Sequence, residues 1–225
     1  MNTVQLTTNL SIIIQLITGV IGLNGLTLDL PEKHKILQNI LKLELGVQFI
    51  ELVFYAFILK SMVTSSLHQM ASARYMDWII TTPTMLLTTI IYFKYEEHLE
   101  NNIEQKIEFL DFLKTNQVNI INIFVCNLLM LYFGYLGEIG TIDMKLSLIL
   151  GFLFFGMSFY IIYTNYAVKS KSATKLFYVL LAIWGAYGIA PLMSPDIKNN
   201  IFNILDLFAK NFFGLYLFFR IKNIS

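Results

Sequence analysis

Residues 198–221 read KNNIFNILDLFAKNFFGLYLFFRI, an apolar run that Asp206 and Lys210 interrupt in its middle. At a rise of about 1.5 Å per residue, a helix over this run is long enough to cross the roughly 30 Å hydrocarbon core of a bilayer. Lys210 lies far from both ends of the run, so its ammonium group cannot easily reach the membrane surface. Ionisable groups at that depth are costly and mark function. The run therefore predicts a membrane-spanning helix with a functional lysine.

Six further apolar runs fill the rest of the chain and predict an all-α membrane protein. Their approximate bounds are 4–26, 36–60, 73–93, 116–135, 143–166 and 174–194. Seven spans with short loops use up the sequence, so we expect a single seven-helix domain over residues 1–225. The first run has no basic segment before it, and we expect a span there rather than a cleaved signal peptide.

The composition agrees with this class and excludes others. Of the 225 residues, 56% are hydrophobic and only 14% are charged, and the mean hydropathy is +0.63. A net charge of +1 excludes a nucleic-acid binder that is driven by a basic field. The single cysteine, Cys126, excludes an intrachain disulfide. The three histidines, His34, His68 and His98, are scattered, so we expect no metal site.

Basic residues concentrate in the loops after the odd-numbered spans. They are Lys33, Lys35, Lys94, Lys106, Lys114, Lys169, Lys171, Lys175, Arg220 and Lys222. The opposite loops have only Lys60, Lys145 and Lys198 nearby. Because basic loops stay on the cytoplasmic side, we expect the N-terminus outside and the C-terminus in the cytoplasm.

Two loop segments have an amphipathic pattern. Leu99, Ile103, Ile107 and Leu110 fall on one face of a helix among acidic residues, and a shorter segment covers residues 26–36. Both are expected either to lie in the membrane interface or to extend the neighbouring spans.

Four spans carry polar residues at spacings of three, four and seven, which put each set on one helical face. The sets are Ser11, Gln15 and Thr18; Glu44, Gln48, Glu51 and Tyr55; Arg74, Asp77, Thr81, Thr84 and Thr88; and Asn199, Asn203, Asp206 and Lys210. In a bilayer, such faces must meet inside the bundle or line a water-filled path.

Lys210 needs carboxylate partners at this depth. Asp206 is one turn away on the same face, and Asp77 can reach it from the third span. A lysine held away from water is suited to Schiff-base formation with a carbonyl compound. Two carboxylates, Arg74 and a protonated Schiff base form a cluster that is close to neutral. The alternative is a buried structural ion pair.

Three motifs resemble those of the microbial (type 1) rhodopsins. Residues 74–83, RYMDWIITTP, resemble the signature of the third helix, and residues 206–210, DLFAK, resemble the retinal-attachment motif of the seventh. Residues 184–187, WGAY, resemble the pocket motif of the sixth helix. The KNFFG ending at 210–214 and the short loops are most similar to rhodopsins of giant algal viruses.

The resemblance implies all-trans-retinal bound to Lys210 as a protonated Schiff base. It implies Asp77 as counterion and proton acceptor, with Asp206, Arg74 and Thr81 beside it. The implied retinal pocket consists of Lys210, Trp78, Thr82, Met85, Met130, Trp184 and Tyr187. It further implies a homo-oligomer in a lipid bilayer, which is the host cell membrane if the chain is viral.

Two positions depart from the family pattern. Gly188 stands where the family has a proline after the tyrosine, and Pro191 stands at the next tryptophan position. We therefore expect a kink one turn later than usual. The fifth span has no tryptophan, so an aromatic pocket wall there must consist of phenylalanine.

The second span predicts a light-gated channel for protons, sodium and potassium. Glu44 and Glu51 lie two turns, or about 10 Å, apart, with Gln48 between them, and resemble the acidic second helix of light-gated cation channels. Spaced oxygen ligands give a cation successive weak partners. Four more residues are expected to complete the path: Ser11, Gln15, Asn199 and Asn203. Alternatively, both glutamates are protonated and hold helices together in a closed core.

The main alternative is an outward proton pump that uses Asp77 as acceptor. Thr88 stands where many efficient pumps carry a proton-donating carboxylate, which disfavours rapid pumping. Asp77 itself disfavours a chloride pump, and the absence of an Asn-Asp-Gln motif disfavours a sodium pump. A photosensor is a third possibility, whereas an enzyme is disfavoured because no nucleophile–base pair appears.

Overall fold

The computed structural model describes residues 3–61 and 67–225, which form helices and no strand. The α-helices are α1 (Thr3–Gly25), α2 (Ile36–Ser61), α3 (Leu67–Glu100), α4 (Phe109–Thr115), α5 (Gln117–Glu138), α6 (Met144–Asn165), α7 (Lys171–Ile189), α8 (Pro195–Asp206) and α9 (Phe212–Lys222). A π-helical turn, Leu207–Asn211, joins α8 to α9. Three 3₁₀ turns cover Glu32–His34, Ala167–Lys169 and Ala190–Leu192.

Seven segments form the transmembrane bundle, since α4 is short and α8, the π turn and α9 form one continuous span. Five of the seven are long and apolar enough to cross a membrane by composition alone: α1, α5, α6, α7 and α8–α9. The other two, α2 and α3, are also long enough but carry more charged residues. Several of those charges are buried inside the bundle (Glu44, Glu51, Arg74 and Asp77), where neighbouring helices partner them instead of lipid.

The loop after α3 differs from the sequence prediction. Helix α3 continues to Glu100, which confirms an extension of the span, but residues 103–108 are not helical. Asn102 ends the helix in the left-handed conformation with a φ of 53°, which asparagine tolerates better than most residues. An interfacial helix over the whole segment was therefore the wrong alternative, and only α4 forms beyond it. Residues 26–36 contain just the turn Glu32–His34.

The two ends of the bundle have different interiors. We call the end that holds Thr3 and Pro195 the N-terminal end, and the end that holds Glu100 and Lys222 the C-terminal end. The largest apolar cluster fills the half near the C-terminal end. It includes Leu37, Ile40, Leu41, Ile90, Phe93, Leu217 and Ile221. Buried polar side chains concentrate in the other half and at mid-bundle.

Candidate functional site

Lys210 lies in the π turn between α8 and α9, and its side chain is only 2% exposed. Turns of this kind are rare and occur mostly as single bulges at functional sites. Its backbone carbonyl accepts a hydrogen bond from Gln48 Nε2 at 3.4 Å, which ties the turn to α2. The π turn was not predicted, because the sequence there contains no proline or glycine that would indicate a break.

Two carboxylates surround the Lys210 ammonium group. Its Nζ atom lies 2.7 Å from Asp77 Oδ2 and 3.6 Å from Asp206 Oδ1. Both aspartates are almost completely buried. The structure thus brings together the lysine and the two acids that the sequence placed on facing helices.

Arg74 supplies the second positive charge of the cluster. Its Nη1 atom donates to Asp206 Oδ2 at 3.3 Å, and its Nη2 atom donates to Asn203 Oδ1 at 2.5 Å. The guanidinium group also lies over the ring of Phe202, at 5.6 Å from its centroid. Two cations and two anions cancel, which is the condition for burying all four groups.

Two tyrosines complete the shell of Asp206. Tyr55 donates to Asp206 Oδ2 and Tyr187 donates to Asp206 Oδ1, both at 2.7 Å. Asp77 Oδ1, in contrast, has no hydrogen-bond partner within the described ranges. Asp206 is therefore held firmly, whereas Asp77 has an oxygen free to accept a proton. Tyr55 was not among the predicted site residues, although it shares a helical face with Glu51.

The threonines of α3 mostly bond to their own helix. The Thr81 hydroxyl donates to the Asp77 backbone carbonyl at 3.0 Å, so it lies beside the counterion without hydrogen-bonding its carboxylate. Thr84 is partly exposed and donates to the Ile80 carbonyl at 3.1 Å. The expected interior stripe is therefore interrupted at Thr84.

A cavity lined by residues of α3, α5, α6, α7 and the seventh span ends at Lys210. Its wall includes all seven residues that the sequence assigned to the pocket: Trp78, Thr82, Met85, Met130, Trp184, Tyr187 and Lys210. Phe152 and Phe155 of α6 add the phenylalanine wall. The cavity is thus lined mainly by apolar and aromatic side chains and has a lysine at one end.

The two departures from the family pattern both lie at this cavity. A side chain at Gly188 would place its Cβ 2.6 Å from the Phe152 ring, so glycine lets α6 and α7 approach closely. Pro191 lies in the 3₁₀ turn after α7 and lines the cavity. Helix α7 therefore ends at Ile189 and a 3₁₀ turn follows, whereas the sequence predicted a kink one turn later than usual.

Asn127 of α5 is a pocket residue that the sequence did not indicate. Its Nδ2 atom donates to Thr82 Oγ1 at 2.8 Å, and the Thr82 hydroxyl donates to the Trp78 carbonyl at 2.7 Å. This chain fixes the α3 wall of the cavity from α5. An asparagine in the middle of an apolar span was the available signal, although Asn119 and Asn122 of the same span share it.

A second polar group follows α1, α2 and the seventh span. All seven residues of the predicted ion pathway are buried there: Ser11, Gln15, Glu44, Gln48, Glu51, Asn199 and Asn203. Asn211 connects the three helices, since it donates to Glu51 Oε2 at 3.2 Å and accepts from the Thr18 hydroxyl at 2.8 Å. Asn211 was not predicted as a site residue, although it directly follows Lys210.

Several polar atoms of this group have no hydrogen-bond partner within residues 3–61 and 67–225. They are both amide atoms of Gln15, Glu44 Oε2, Gln48 Oε1, Glu51 Oε1 and Asn199 Oδ1. Buried polar atoms without a protein partner are costly unless water or an ion contacts them. The group is therefore suited to hold water or cations.

The C-terminal end of the bundle is closed by a cluster of tyrosines and charges. Tyr92 donates to Glu96 Oε1 at 2.6 Å and bonds the Tyr216 hydroxyl at 2.6 Å. Arg220 Nη2 donates to the same Glu96 oxygen at 2.7 Å. We call Tyr92, Glu96, Tyr216 and Arg220 the C-terminal seal. Next to the seal, His34 bonds the Tyr95 hydroxyl at 2.7 Å.

Lys198 lies near the start of α8, close to a loop as the sequence predicted, but its side chain is not exposed. It is buried, and its Nζ atom lies 2.5 Å from Glu138 Oε1, joining α5 to α8. No group of three or more histidine, cysteine, aspartate or glutamate side chains suited to a metal ion occurs among those that the structure describes. The side chain of His68 lies outside the described residues.

Comparisons with known proteins agree with this architecture. The family model described as "Bacteriorhodopsin-like protein" matches residues 6–224. The viral rhodopsin OLPVRII is 28% identical, with full coverage of both chains and a TM-score of 0.83. A search of curated proteins found no match.

Two more distant structures share the fold. The blue light-absorbing proteorhodopsin from Med12 is 19% identical over 99% of this chain and 98% of its own, with a TM-score of 0.73. The proton pumping rhodopsin AR2 from the marine alga Acetabularia acetabulum is 18% identical over 100% and 96%, with a TM-score of 0.74. With almost its whole length matched, the chain belongs to the bacteriorhodopsin-like family of multi-pass membrane proteins, whose members bind retinal as a Schiff base on a lysine.

Proposed function

We propose that this protein is a light-gated cation channel that carries its retinal on Lys210. Among the residues that line the cavity, Lys210 is the one primary amine. An apolar polyene fits between Trp78 and Trp184, and an aldehyde at its end meets the lysine nitrogen. When bound, retinal supplies the absorption of visible light and a light-driven change of shape at the lysine end.

The residues around Lys210 convert that change into rearrangement of charges. Asp77 is placed to take the Nζ proton, since the two atoms are 2.7 Å apart and Asp77 Oδ1 lacks a competing partner in the described chain. When Asp77 becomes neutral, the charge balance around the Arg74–Asp206 ion pair changes. Arg74 also donates a hydrogen bond to Asn203 of α8. The charge change at Lys210 is thus coupled to the neighbouring polar group.

The observation that carries the channel proposal is the buried polar group of α1, α2 and the seventh span. Its carboxyl and amide oxygens follow α2 at successive turns, and several of them have no protein partner. Such a row offers a dehydrated cation oxygen atoms along its way while binding it weakly enough for release. A core that merely held helices together would have its polar atoms paired.

Apolar side chains interrupt this row of polar oxygen atoms in the structure, which supports a gated pathway. Val47, Met85 and Ala209 form a small apolar cluster with side chains of α7, and the C-terminal seal closes that end. We infer that light opens both places, and that the N-terminal end faces outward, as the basic loops predict.

Photocurrents test this proposal. In cells that express the protein, a channel gives a light current whose reversal potential follows the sodium, potassium and proton gradients. A current of one sign at every voltage would reject the channel.

A second candidate is an outward proton pump, favoured by the direct contact between Lys210 and Asp77. Its signature is light-induced acidification of a cell suspension that persists after the gradients of permeant ions are collapsed. A channel does not acidify the medium under that condition, because it moves ions only down their gradients.

A further inference from the structure

The end of the cavity that lies across from Lys210 is built by α5 and α6. Small side chains line it there, namely Gly134, Ser147 and Gly151. Pro191, from the turn after α7, also lines the cavity. It stands where the family resemblance predicts a tryptophan, and a proline leaves space that a large indole ring would fill. The ring end of a retinal attached to Lys210 therefore meets a wall of small residues.

Tyr75 of α3 places a hydroxyl group at this end of the cavity. Its ring lies edge-on to Trp78 and Tyr135, with centroid distances of 5.0 and 5.6 Å, which directs the side chain toward α5. A Cβ at Gly134 would lie 2.9 Å from the Tyr75 hydroxyl oxygen. The hydroxyl group thus occupies room that glycine leaves free, and Tyr75 itself lines the cavity.

The Tyr75 hydroxyl group forms no hydrogen bond with the residues that the structure describes. Glu138, one turn beyond Gly134 on α5, pairs with Lys198 through Oε1, and its Oε2 atom has no partner in the described chain. Ser147 donates to the Phe133 carbonyl at 2.8 Å. A tyrosine hydroxyl in an apolar site usually finds a partner, so the cavity wall contains an unused hydrogen-bond donor.

Unmodified retinal offers this donor nothing. Its ring is a hydrocarbon, and its aldehyde oxygen is lost when the Schiff base forms at the other end. An oxygen atom on the ring would accept the hydrogen bond of Tyr75. A hydroxyl group suits the wall better than a ketone, because the Ser147 oxygen has already given its proton to a carbonyl and can only accept. One such hydrogen bond corresponds to a factor of roughly ten in affinity.

We propose that the cavity takes a retinal whose ring bears a hydroxyl group in preference to retinal itself, and that Tyr75 is the residue that determines this specificity. The Tyr75 O–H group donates to the ring oxygen, while Lys210 forms the Schiff base with either chromophore. The inference rests on the proposed attachment at Lys210 and is independent of whether the molecule conducts ions.

Competitive reconstitution tests the preference without any use of light. The apoprotein is mixed with an excess of all-trans-retinal and its 3-hydroxy derivative in equal amounts. The bound chromophore is then released with hydroxylamine and quantified by chromatography. We expect the hydroxylated form to be enriched about tenfold. The 4-hydroxy derivative, tested in the same way, covers the neighbouring ring position. If neither derivative is enriched over retinal, the proposal is wrong.

A methyl group at the enriched ring position separates the hydrogen bond from the fit. It fills nearly the same volume as a hydroxyl group but has no oxygen, so the methylated retinal should bind no better than retinal. Equal enrichment of the methylated and hydroxylated forms would show that the cavity selects for size alone, and it would overturn the role of Tyr75.

Tyr75→Phe keeps the ring and its edge contacts but removes the hydroxyl group, so the enrichment should fall to about one. Tyr135→Phe is the matched control, because it makes the same change in the adjacent ring, which does not line the cavity. The control should keep the preference of the parent protein. Enrichment that persists in Tyr75→Phe would contradict the proposal.

Infrared spectra of the parent protein test the contact without a variant. The pigments formed with retinal and with its hydroxylated form are compared in the dark, before and after isotope labelling of tyrosine. A label-sensitive tyrosine band should differ between the two pigments, because only the second supplies an acceptor for Tyr75. Identical tyrosine bands would count against the contact even if the variant failed to fold.

These outcomes separate this inference from the proposed function. If no pigment forms with either chromophore, the attachment at Lys210 is wrong, and the specificity falls with it. If both chromophores bind in the ratio in which they were mixed, only the specificity is wrong, and the light-gated channel is unaffected.

Discussion

The two halves of the helix bundle solve the problem of burial in opposite ways. The half near the N-terminal end contains Arg74, Asp77 and Asp206, together with buried amides and hydroxyls, only some of which pair with one another. The half near the C-terminal end contains the largest apolar cluster and has its charges at the seal. The contrast indicates that, in this state, Lys210 communicates with the N-terminal end and is isolated from the other.

The two aspartates beside Lys210 repeat this contrast on a smaller scale. Asp206 accepts hydrogen bonds from Tyr55, Tyr187 and Arg74, so protonating it would lose three favourable interactions. Asp77 accepts one from Lys210. The weaker shell belongs to Asp77, which we propose takes the proton, and the stronger shell belongs to Asp206, which we propose keeps its charge.

The largest effect is expected when the positive charge at Lys210, between the two halves, is removed. Lys210→Ala should abolish the visible absorbance band completely, because no other amine lines the described cavity. The helices should remain inserted, which circular dichroism can verify. Lys60→Ala, at an exposed position, is the matched control. Colour that forms in Lys210→Ala and bleaches with hydroxylamine would contradict the attachment.

Arg74 and Arg220 provide a direct test of the two halves. Arg74→Gln leaves Asp206 without its buried guanidinium partner and should cost about 3–5 kcal/mol of folding stability. Arg220→Gln removes a cation that is 35% exposed, and its cost should be much smaller. Thermal unfolding of the two purified variants measures the difference. Equal losses would mean that the N-terminal half is not the more tightly coupled one.

The ion pathway of the polar half is tested at Glu51. Glu51→Ala should leave the pigment coloured but change the current size or the reversal potential, because it removes an oxygen pair at mid-bundle and leaves Asn211 unpaired. Glu44→Ala should also alter the current. If both variants conduct like the parent protein, the pathway is wrong.

Most of the fold was predictable because lipid imposes one rule on every span. The seven segments, their all-α class and the family follow from run lengths and three motifs, and all are confirmed. The ends of the elements were less certain: α3 runs seven residues past its predicted end, residues 94 to 100, since its last turns leave the apolar region. The π turn at Lys210 has no local sequence signal, and its contact with Gln48 of α2 joins residues far apart in the sequence.

The site shows the same limit. Helical spacing indicated that Asp77, Asp206 and Arg74 face the interior, and the structure brings them together around Lys210. Spacing along one helix does not determine which residue of another helix it meets. The bonds of Tyr55 to Asp206, Asn127 to Thr82 and Thr88 to Glu44 therefore required the three-dimensional structure. The roles of these residues stay predictions.

The C-terminal seal provides a further test of the difference between the two halves of the bundle. Tyr216→Phe removes the hydroxyl that bonds Tyr92 while keeping the ring, and it should loosen the seal moderately. We expect a faster rise of the photocurrent and a small current in the dark, measured by patch clamp. The matched control is Tyr178→Phe on the exposed surface of α7. A photocurrent that rises as in the parent, without dark current, would show that the seal does not limit conduction.

The smallest expected effect concerns His34, beside the seal. Burial, then Lys33 and then Arg220, lowers the pKa of His34 below its ordinary value, while Glu104 opposes them. Because the unfolded chain binds the proton more tightly, the stability from neutral His34 is complete above about pH 6.5 and is lost as the pH falls toward the folded pKa. Acidification should therefore lower the thermal midpoint, and His34→Asn should reduce that dependence. His98→Asn, at a partly exposed position, should retain it. If the pH dependence is unchanged in His34→Asn, protonation of His34 does not lower the stability of the parent protein. Water would then reach the region beside the seal more easily than its packing indicates.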